Sequence, residues 1–276
     1  MGRRRLRLPP GQRLHDVVAI LVQKNRTVMK KVIIMGASSG IGLHCAEALA
    51  SRGVKVGVAA RHTAPLEALK ERYPDFVEYM SIDVTKTDAV RRLEDLINLT
   101  GGMDIYFHVS GIGYENPELD PEMETAIFET NTVGFVRCIS GAWRWMRRNG
   151  VRGQIAAVTS VAGTNGIAKL SAYSASKSAC QKWLVALEQL SRNTGAGIRF
   201  TDIRPGWTDT PLLRPGDRYP LEMTLDYAVP RIIEAIVRKR RVAVIDWRWN
   251  IVVGLWRMIP DCLYVRMNLP VSLPKH

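Results

Sequence analysis

The sequence predicts an α/β fold in which one parallel β-sheet carries helices on both of its faces. Short, continuous apolar runs alternate with helical patterns along most of the chain, and such runs are typical of strands buried on both faces. A glycine-rich turn joins the first apolar run to the first helical pattern. The length of 276 residues suits one large domain or two small ones. The unbroken alternation favours a single, doubly wound domain with right-handed crossovers.

Seven apolar runs have the character of buried strands, and helical patterns lie between them. One helix is predicted to begin at Leu43, another to run from Glu118 through Asn131 to about Arg148, and a third to span Tyr173–Ser191. We therefore predict a seven-stranded parallel sheet. Its strands are Val32–Met35, Gly53–Arg61, Val77–Ile82, Met103–Val109, Gln154–Thr159, Ile198–Ile203 and Val242–Ile245.

The net charge of +13 is concentrated at the two ends of the chain. Residues 1–30 hold eight Lys or Arg and one Asp, residues 237–276 hold eight Lys or Arg and two Asp, and the part between is neutral. A nucleic-acid groove needs its charge on the folded body beside aromatic residues, so we predict no nucleic-acid partner. The basic ends could contact an anionic membrane surface, although solvated charge is the simpler explanation.

The cysteines and histidines give no sign of a metal site. The four cysteines are scattered, with no C-x-x-C pair and no His at ligand spacing. We therefore predict reduced, buried thiols and no bound metal. No apolar segment is long enough to span a bilayer. The cysteines are Cys45, Cys138, Cys180 and Cys262.

A turn with three glycines follows the first predicted strand. It runs Gly36-Ala37-Ser38-Ser39-Gly40-Ile41-Gly42 and leads into a helix. Glycines in such a turn let the backbone approach a pyrophosphate, while the helix N-terminus faces its negative charge. An ordinary tight turn is the alternative, but this arrangement of glycines favours dinucleotide binding.

The residue at the tip of the second strand indicates which dinucleotide is bound. A site for NAD places an acid there to bind the ribose 2′-hydroxyl, whereas this chain has Ala60-Arg61. A guanidinium can pair with a 2′-phosphate, and no carboxylate repels that group. The sequence therefore favours NADP over NAD; a solvated loop arginine is the alternative.

Tyr173 and Lys177 lie one helical turn apart on the same helix face. An isolated phenol titrates near pH ~10, and a fixed ammonium nearby stabilises the phenolate, which gives an acid/base group for work near neutral pH. A Tyr and a Lys at this spacing also occur by chance on solvated helices, so the spacing alone does not indicate an acid/base site. However, Ser160 follows the fifth strand, at the edge where open α/β sheets bind ligands, and Asn131 lies inside a predicted helix, where Asn is unfavourable without a use.

Together these residues resemble the short-chain dehydrogenase/reductase family, in its compact one-domain branch with a Rossmann fold. The resemblance covers roughly Met29 to Asp246. The turn matches the family's G-x-x-x-G-x-G cofactor motif, and the catalytic tetrad is matched in order and spacing by Asn131, Ser160, Tyr173 and Lys177. The cofactor contacts that the resemblance implies are Gly36, Ser38, Ser39, Gly40, Ile41, Gly42, Arg61, Asp83, Val84, Gly111, Tyr173, Lys177, Pro205, Gly206, Thr208 and Thr210.

The resemblance also implies a role for each matched residue. Tyr173 would exchange a proton with the substrate oxygen, while Lys177 supports it and bonds the nicotinamide ribose. Ser160 would hydrogen-bond the substrate oxygen, and Asn131 would hold a water that links Lys177 to solvent. Asp83 would lie near the adenine ring. The segment from Pro205 to Thr210 would hold the nicotinamide carboxamide.

One position departs from the family's pattern. After the fourth strand the family usually has Asn-Asn-Ala-Gly, and this chain has His108-Val109-Ser110-Gly111. The glycine that permits close approach to the cofactor is kept, but the Asn side chains that stabilise the central sheet are missing. We expect this difference to change local bonding more than activity, because no proton-transfer group is lost.

Three segments are predicted from these patterns. Residues 1–28 form a basic extension, either disordered or outside the native protein, since a start upstream of the true one at Met29 would give the same pattern. A mitochondrial transit peptide is the alternative, because acids are few and Arg is frequent, although Ser is missing. Residues 29–246 form the dinucleotide-binding catalytic domain, and residues 247–276 a helical tail rich in Trp and Arg. The predicted location is cytoplasmic, or mitochondrial if residues 1–28 are a transit peptide.

We expect three segments that close over the nicotinamide to determine the specificity for the substrate: Gly111–Leu119, Val161–Leu170 and Gly206–Tyr227. The length and the Gly and Pro content of the last suggest a mobile lid. Its apolar residues suggest a hydrophobic substrate, but lids also bury apolar residues when empty. They are Trp207, Leu212, Leu213, Pro215, Tyr219 and Met223.

The tail begins with a predicted helix, Trp247 to Ile259, which Pro260 ends. Trp and Arg together suit an anchor at a membrane interface. They suit equally a helix packed over the substrate pocket or against a partner subunit, and we favour packing.

We therefore predict an oxidoreductase that transfers a hydride between NADP(H) and an alcohol or ketone, with a hydrophobic, steroid-, lipid- or acyl-like substrate. The alternative is a catalytically silent NADP-binding sensor or scaffold on the same fold. A nucleotide-sugar epimerase or dehydratase is less favoured, because it would need G-x-x-G-x-x-G and a larger C-terminal domain. A homodimer or homotetramer through the helices at Glu118–Arg148 and Tyr173–Ser191 is implied by the resemblance only.

Overall fold

Seven parallel strands form one sheet in the order β3–β2–β1–β4–β5–β6–β7. The structure is a computed structural model that describes residues 31–213, 217 and 219–267. The predicted doubly wound, seven-stranded sheet is confirmed. The strands are β1 (Lys31–Met35), β2 (Lys55–Ala60), β3 (Val77–Ser81), β4 (Ile105–His108), β5 (Gln154–Val158), β6 (Arg199–Pro205) and β7 (Val242–Ile245).

Helices connect the strands and cover both faces of the sheet. Those on one face are α1 (Gly40–Ala50), α2 (Ala64–Arg72) and α7 (Leu225–Val237), and those on the other are α3 (Ala89–Thr100), α5 (Phe135–Arg148) and α6 (Ser171–Asn193). A short helix, α4 (Pro121–Phe128), precedes α5, and two helices follow β7: α8 (Trp247–Trp256) and α9 (Asp261–Tyr264). No helix in the described part of the chain combines the length and apolarity needed to cross a membrane.

The two cores explain why the central strand β1 is almost continuously apolar. On β1, Val32 and Ile34 pack with one set of helices, while Ile33 and Met35 pack with the other. Successive side chains of a strand point to opposite faces, and here each face is covered, so apolar residues are favoured on both. This is the physical origin of the continuous apolar runs that predicted the parallel sheet.

The strand order reverses beside β1, and this reversal creates the crevice for the site. From β1 the chain builds outward through β2 and β3, then returns to β4 on the other side of β1. The loops that leave β1 and β4 both start at the same edge: Val109 N and Ser110 N donate to Met35 O at 2.8 and 2.9 Å. Ligands of open α/β sheets bind at this kind of switch point.

The long helix predicted through Asn131 differs from the observed structure. Residues Glu129–Gly134 form a π-helical turn between α4 and α5, so the predicted single helix consists of three parts. A π turn widens the helix by one residue per turn and often occurs at functional sites.

The second predicted strand is also shorter than expected, because Gly53 has a positive φ of 76° and forms a turn before Lys55.

The cysteines differ in one respect from the prediction. Cys45, Cys138 and Cys180 are free and buried, whereas Cys262 is free and exposed at α9. Within the described residues no three His, Cys, Asp or Glu side chains are grouped so as to hold a metal ion.

Candidate active site

The glycine turn after β1 is shaped by close backbone contacts that exclude a Cβ. Gly36 has a positive φ of 93°, and a Cβ there would lie 2.5 Å from Ser110 N. A Cβ on Gly42 would lie 2.1 Å from Gly36 O, so that glycine is required for the close contact between α1 and the turn. The turn therefore brings the start of α1 close to the ends of β1 and β4.

The N-terminus of α1 has free hydrogen-bond donors. Ser39 is its N-cap, but no side chain caps the helix, and its first turn holds no acid. Uncapped N–H groups and the positive end of the helix dipole favour a bound phosphate. Gly36, Ser38, Ser39, Gly40 and Ile41 line the cavity above this terminus, and these residues fit a pyrophosphate.

Arg61 and Asp83 lie at the ends of neighbouring strands, β2 and β3, and both line the same cavity. Asp83 accepts hydrogen bonds from Thr85 N at 3.0 Å and from Thr85 Oγ at 2.8 Å. Burial acts to raise the pKa of Asp83, but these bonds and the charges of Arg61 and Lys86 outweigh it and hold that pKa below its ordinary value. Arg61 is exposed, so its guanidinium is accessible to an anionic group.

Tyr173 and Lys177 lie in the first two turns of α6 and face the cavity. The Lys177 Nζ lies 5.6 Å from the centre of the Tyr173 ring and donates to Val158 O at 3.4 Å. Lys177 is buried. Two glycines make room for the pair: a Cβ on Gly111 would lie 3.1 Å from Lys177 Nζ, and one on Gly113 would lie 2.7 Å from the Tyr173 ring. The ammonium and the phenol thus pack close to the backbone of the loop after β4, where side chains at these two positions would crowd them.

Ser160 follows β5 and faces the same cavity. Its Oγ accepts from Ala162 N at 3.1 Å and lies 3.5 Å from Pro205 O. Its backbone is fixed by Gln181, whose Nε2 donates to Ser160 O at 2.7 Å. Ser160 is thereby tied both to α6 and to the end of β6.

Asn131 lies behind the cavity, inside the π-helical turn. Its Oδ1 accepts from Ile112 N at 2.8 Å and its Nδ2 donates to Ile112 O at 2.7 Å, while Nδ2 also donates to Ser176 Oγ at 3.2 Å. The side chain therefore fastens the loop after β4 to α6. This explains an Asn in the middle of a helical segment, which is unfavourable without such partners.

A single cavity of about 1930 Å³ collects the predicted residues. Gly42 and Asn131 do not line it, the first supporting α1 and the second supporting the loop. The volume exceeds that of ordinary small-molecule pockets, which hold one ligand in about 300–1,000 Å³, so the cavity has room for a dinucleotide and a substrate. The predicted residues that line it are Gly36, Ser38, Ser39, Gly40, Ile41, Arg61, Asp83, Val84, Gly111, Ser160, Tyr173, Lys177, Pro205, Gly206, Thr208 and Thr210.

Comparison with known proteins agrees with this geometry. The profile described as short chain dehydrogenase matches residues 30–218. An uncharacterized oxidoreductase of Myxococcus xanthus is 31% identical over 242 residues, which cover 85% of this chain and 94% of that protein.

This chain belongs to the short-chain dehydrogenase/reductase family.

Other members are similar over most of their length. The farnesol dehydrogenase of Aedes aegypti is 29% identical over 199 residues, covering 68% of this chain and 81% of that protein. A crystal structure of a short-chain type dehydrogenase/reductase from Mycobacterium marinum has a TM-score of 0.71 at 26% identity, covering 80% of this chain and 95% of that one. A short chain dehydrogenase from Burkholderia cenocepacia, in complex with NADP, shares the fold with a TM-score of 0.74 at 21% identity, covering 88% and 98%. The present chain is thus an NAD(P)-dependent dehydrogenase/reductase.

A hydrogen-bond network that sequence reasoning missed fixes the start of α6 in this dehydrogenase/reductase. The Glu124 carboxylate accepts from Ser171 Oγ at 2.7 Å and from Ala172 N at 3.1 Å. Asn116 Nδ2 donates to the same carboxylate at 3.0 Å. The bond from Ser171 is the main reason that the pKa of Glu124 lies below its ordinary value, and it outweighs partial burial. Ser171 and Ala172 immediately precede Tyr173, so this carboxylate orients the helix that carries the phenol.

The apolar end of the cavity is formed by segments distant in sequence. Trp207, Leu212, Leu213 and Tyr219 line it, whereas Met223 is buried in the core beside α7. Pro215 lies outside the described residues. Part of the tail also lines this end: Trp249, Val252, Leu255, Trp256, Ile259, Tyr264, Val265 and Met267.

His108 replaces the Asn that this family usually has, and its imidazole is fully buried at the end of β4. Its Nδ1 and Tyr106 Oη are 2.9 Å apart, and its ring packs edge-on against Phe135. Burial, and after it the charge of Lys177, lowers the pKa of His108 to about 3, although Ser110 opposes this through a backbone hydrogen bond. The imidazole is therefore neutral in the folded protein at neutral pH.

We expect the free energy of unfolding to fall in acid because of His108. Its folded pKa is depressed, so the unfolded chain binds a proton at a higher pH than the folded one. Its contribution is fully present above pH about 6.5 and is lost as the pH falls towards about 3, by up to about 1.4 kcal/mol per pH unit. Denaturant titrations of the wild type and of His108→Asn across this window should give a shallower pH dependence for the variant. The exposed His62, replaced by Asn, is the matched control for loss of an imidazole, and equal slopes for wild type and His108→Asn would contradict the assignment.

Proposed function

We propose that this enzyme transfers a hydride between NADP(H) and a hydrophobic alcohol or ketone, with Tyr173 as the general acid/base. The observation that carries the proposal is the convergence of three elements on one cavity. The uncapped N-terminus of α1, the Tyr173–Lys177 pair of α6 and Ser160 after β5 all face it. An anion site beside an acid/base pair is what dinucleotide-dependent carbonyl chemistry requires.

The residues of the cavity fit a bound dinucleotide phosphate. The glycine turn would hold the pyrophosphate and Arg61 the 2′-phosphate, with Asp83 and Val84 near the base. Gly111, Pro205, Gly206, Thr208 and Thr210 would lie at the nicotinamide end. NADP(H), when bound, supplies or takes up the hydride.

The protein's own groups handle the proton and the developing charge. In reduction, Tyr173 donates its proton to the substrate oxygen, and in oxidation it accepts one. Lys177 stabilises the phenolate left behind and holds the ribose, while Ser160 hydrogen-bonds the same substrate oxygen. Asn131 acts with them by fixing the loop that carries Gly111 against Lys177 and by holding a water that links Lys177 to solvent.

A hydrophobic substrate is supported by the far end of the cavity. Leucine, tryptophan, valine and methionine side chains form most of its wall, and apolar walls with few polar groups select apolar ligands. A relative, the farnesol dehydrogenase of Aedes aegypti, carries the name of a lipophilic alcohol. The choice of NADP rests on Arg61, because the NADP-bound Burkholderia cenocepacia protein shares only the fold.

Self-association through α4, α5 and α6 stays a prediction. Phe128 on α4, Val133 in the π-helical turn, and Val185 and Leu190 on α6 are large apolar residues that are exposed, which supports a homodimer or homotetramer. A cytoplasmic location likewise stays a prediction.

Tyr173→Phe should reduce turnover by at least about a thousandfold, because general acid/base catalysis contributes factors of about 10²–10⁴. NADPH binding, followed by fluorescence, should remain. Tyr73→Phe is the matched control, since it removes a phenol hydroxyl at the end of α2, away from the cavity. Turnover of Tyr173→Phe close to that of wild type would overturn the role of the phenol.

Arg61→Ala should raise the KM for NADPH by about tenfold or more and leave that for NADH nearly unchanged. The reason is that a charge-assisted bond to a 2′-phosphate is lost, and such bonds are the stronger kind. Lys86→Ala removes a neighbouring cation that does not line the cavity, and it should affect both cofactors little. If the two variants changed the KM for NADPH equally, Arg61 would contribute only general positive charge and would not bind the 2′-phosphate specifically.

Steady-state rates on a panel of ketones and alcohols test the substrate class. We expect steroid-, acyl- and isoprenoid-like compounds to have higher kcat/KM values with NADPH than small polar ketones do, since only the former fill the apolar end. Preference for the small polar compounds would discard the hydrophobic substrate. Cofactor binding with no turnover on any compound would support the sensor or scaffold alternative.

A further inference from the structure

The first helix of the tail, α8, is apolar on both of its sides. On the inner side Trp249 and Val253 are buried and pack with Val161. On the outer side Trp247, Ile251 and Leu255, together with Met258 just after the helix, form a stripe at helical spacing, and they are 64%, 55%, 57% and 70% exposed. A surface helix of a globular protein usually turns polar residues outward, so this outer stripe needs an explanation other than packing.

Further exposed apolar residues lie in α9 and just after it. Leu263, Val265 and Met267 are also large, apolar and exposed. Together with the four residues of the stripe they are the exposed apolar residues of the tail, which we call the tail face. Contiguous exposed apolar surface of this kind marks an interaction site.

Cations border the tail face. Arg257 and Arg266 are exposed, and no ion pair engages either of them within the part of the chain that the structure describes. Arg248 is the exception, because it pairs with Asp246, the N-cap of α8. Asp261 is the one exposed acid between Trp247 and Met267. The charge around the tail face therefore complements an anionic surface.

The tail face is continuous with the mouth of the cavity. Leu255, Val265 and Met267 belong to the tail face and also line the cavity. Tyr114 and Leu212, from other loops, line the cavity and are exposed as well. The opening is thus rimmed by apolar side chains that are shared with the outer surface.

We infer that the tail face binds peripherally to an anionic lipid surface, with the cavity mouth turned towards the lipid. Apolar side chains would enter the headgroup boundary, while Arg257 and Arg266 would pair with anionic headgroups. A lipophilic substrate could then pass from the lipid into the cavity without crossing water. This last step rests on the proposed function, whereas lipid binding does not.

A second copy of the chain fits the tail face less well. A two-fold contact brings the same patch of each subunit together. Here it would set the exposed Arg257 and Arg266 of one copy near the same cations of the other, with only Asp261 to offset them. An anionic surface meets no such repulsion.

Sedimentation of the full-length protein with vesicles tests the inference. Wild type should bind vesicles of phosphatidylcholine mixed with phosphatidylglycerol and bind phosphatidylcholine alone more weakly. Ile251→Glu and Met258→Glu should each weaken binding by about tenfold or more, because each removes apolar area that would enter the lipid. Arg257→Gln and Arg266→Gln should each weaken binding to the anionic vesicles by about fivefold.

Leu99→Glu is the matched control, since Leu99 on α3 is 58% exposed and lies outside the tail face. It should bind vesicles as wild type does. Thermal melts and rates on a small, water-soluble ketone should be unchanged in Ile251→Glu, which does not line the cavity. Vesicle binding is measured without cofactor or substrate, so an enzyme that turned over no ketone would not alter this result.

Three results would overturn the inference. The first is failure of the wild type to sediment with either vesicle, and the second is equal binding by wild type and Ile251→Glu. The third is a change of oligomeric state in Ile251→Glu by analytical ultracentrifugation with vesicle binding unaltered, which would identify the tail face as a contact between subunits.

Discussion

The close approach of the loops after β1 and β4 is the constraint on which the site depends. Gly36 lies so near Ser110 that a Cβ would overlap its amide, and Gly42 lies equally close to Gly36. These contacts bring the start of α1 to the edge where β4 and β5 end. Without them, the anion site of α1 and the acid/base pair of α6 would not face one cavity. Close contacts of the backbone therefore set the relative positions of α1 and the strand ends, and these positions decide which side chains face the cavity.

Two hydrogen-bonded clamps then fix the phenol within this backbone frame. Asn131 holds the loop after β4 through both polar atoms of Ile112, and Glu124 holds the first residues of α6. Both clamps come from the segment around the π-helical turn, which lies between α4 and α5. Tyr173 is thus positioned from the loop side and from the helix side by one stretch of chain. Buried polar groups that are fully bonded in this way restrict a site to one arrangement.

Much of the fold could be predicted from the sequence because its signals are local. Continuous apolar runs, one glycine turn and the Tyr173–Lys177 spacing each depend on residues close in the chain. What could not be predicted depends on contacts between distant residues. Gly113 is required by the Tyr173 ring sixty positions later, and Glu124 meets Ser171 across a similar distance. The π-helical turn belongs to the same class: Asn131 marked the segment as unusual for a helix, but its bonds to Ile112 and Ser176 join residues distant in the chain.

The substrate end is built from other segments than the chemical groups, and the tail packs against both. The acid/base and anion sites lie on strand ends and helix starts, whereas the apolar end comes from the segment after β6 and from the tail. Folds vary their substrates by changing such loops while the chemical groups stay in place. Gly206 is one point where they meet: it lies in the segment expected at the nicotinamide, and a Cβ there would overlap the buried Trp249 indole of α8. Trp249 and Val253 also pack against Val161, the residue after Ser160. The tail therefore packs directly on the segments that carry Ser160 and the expected nicotinamide contacts.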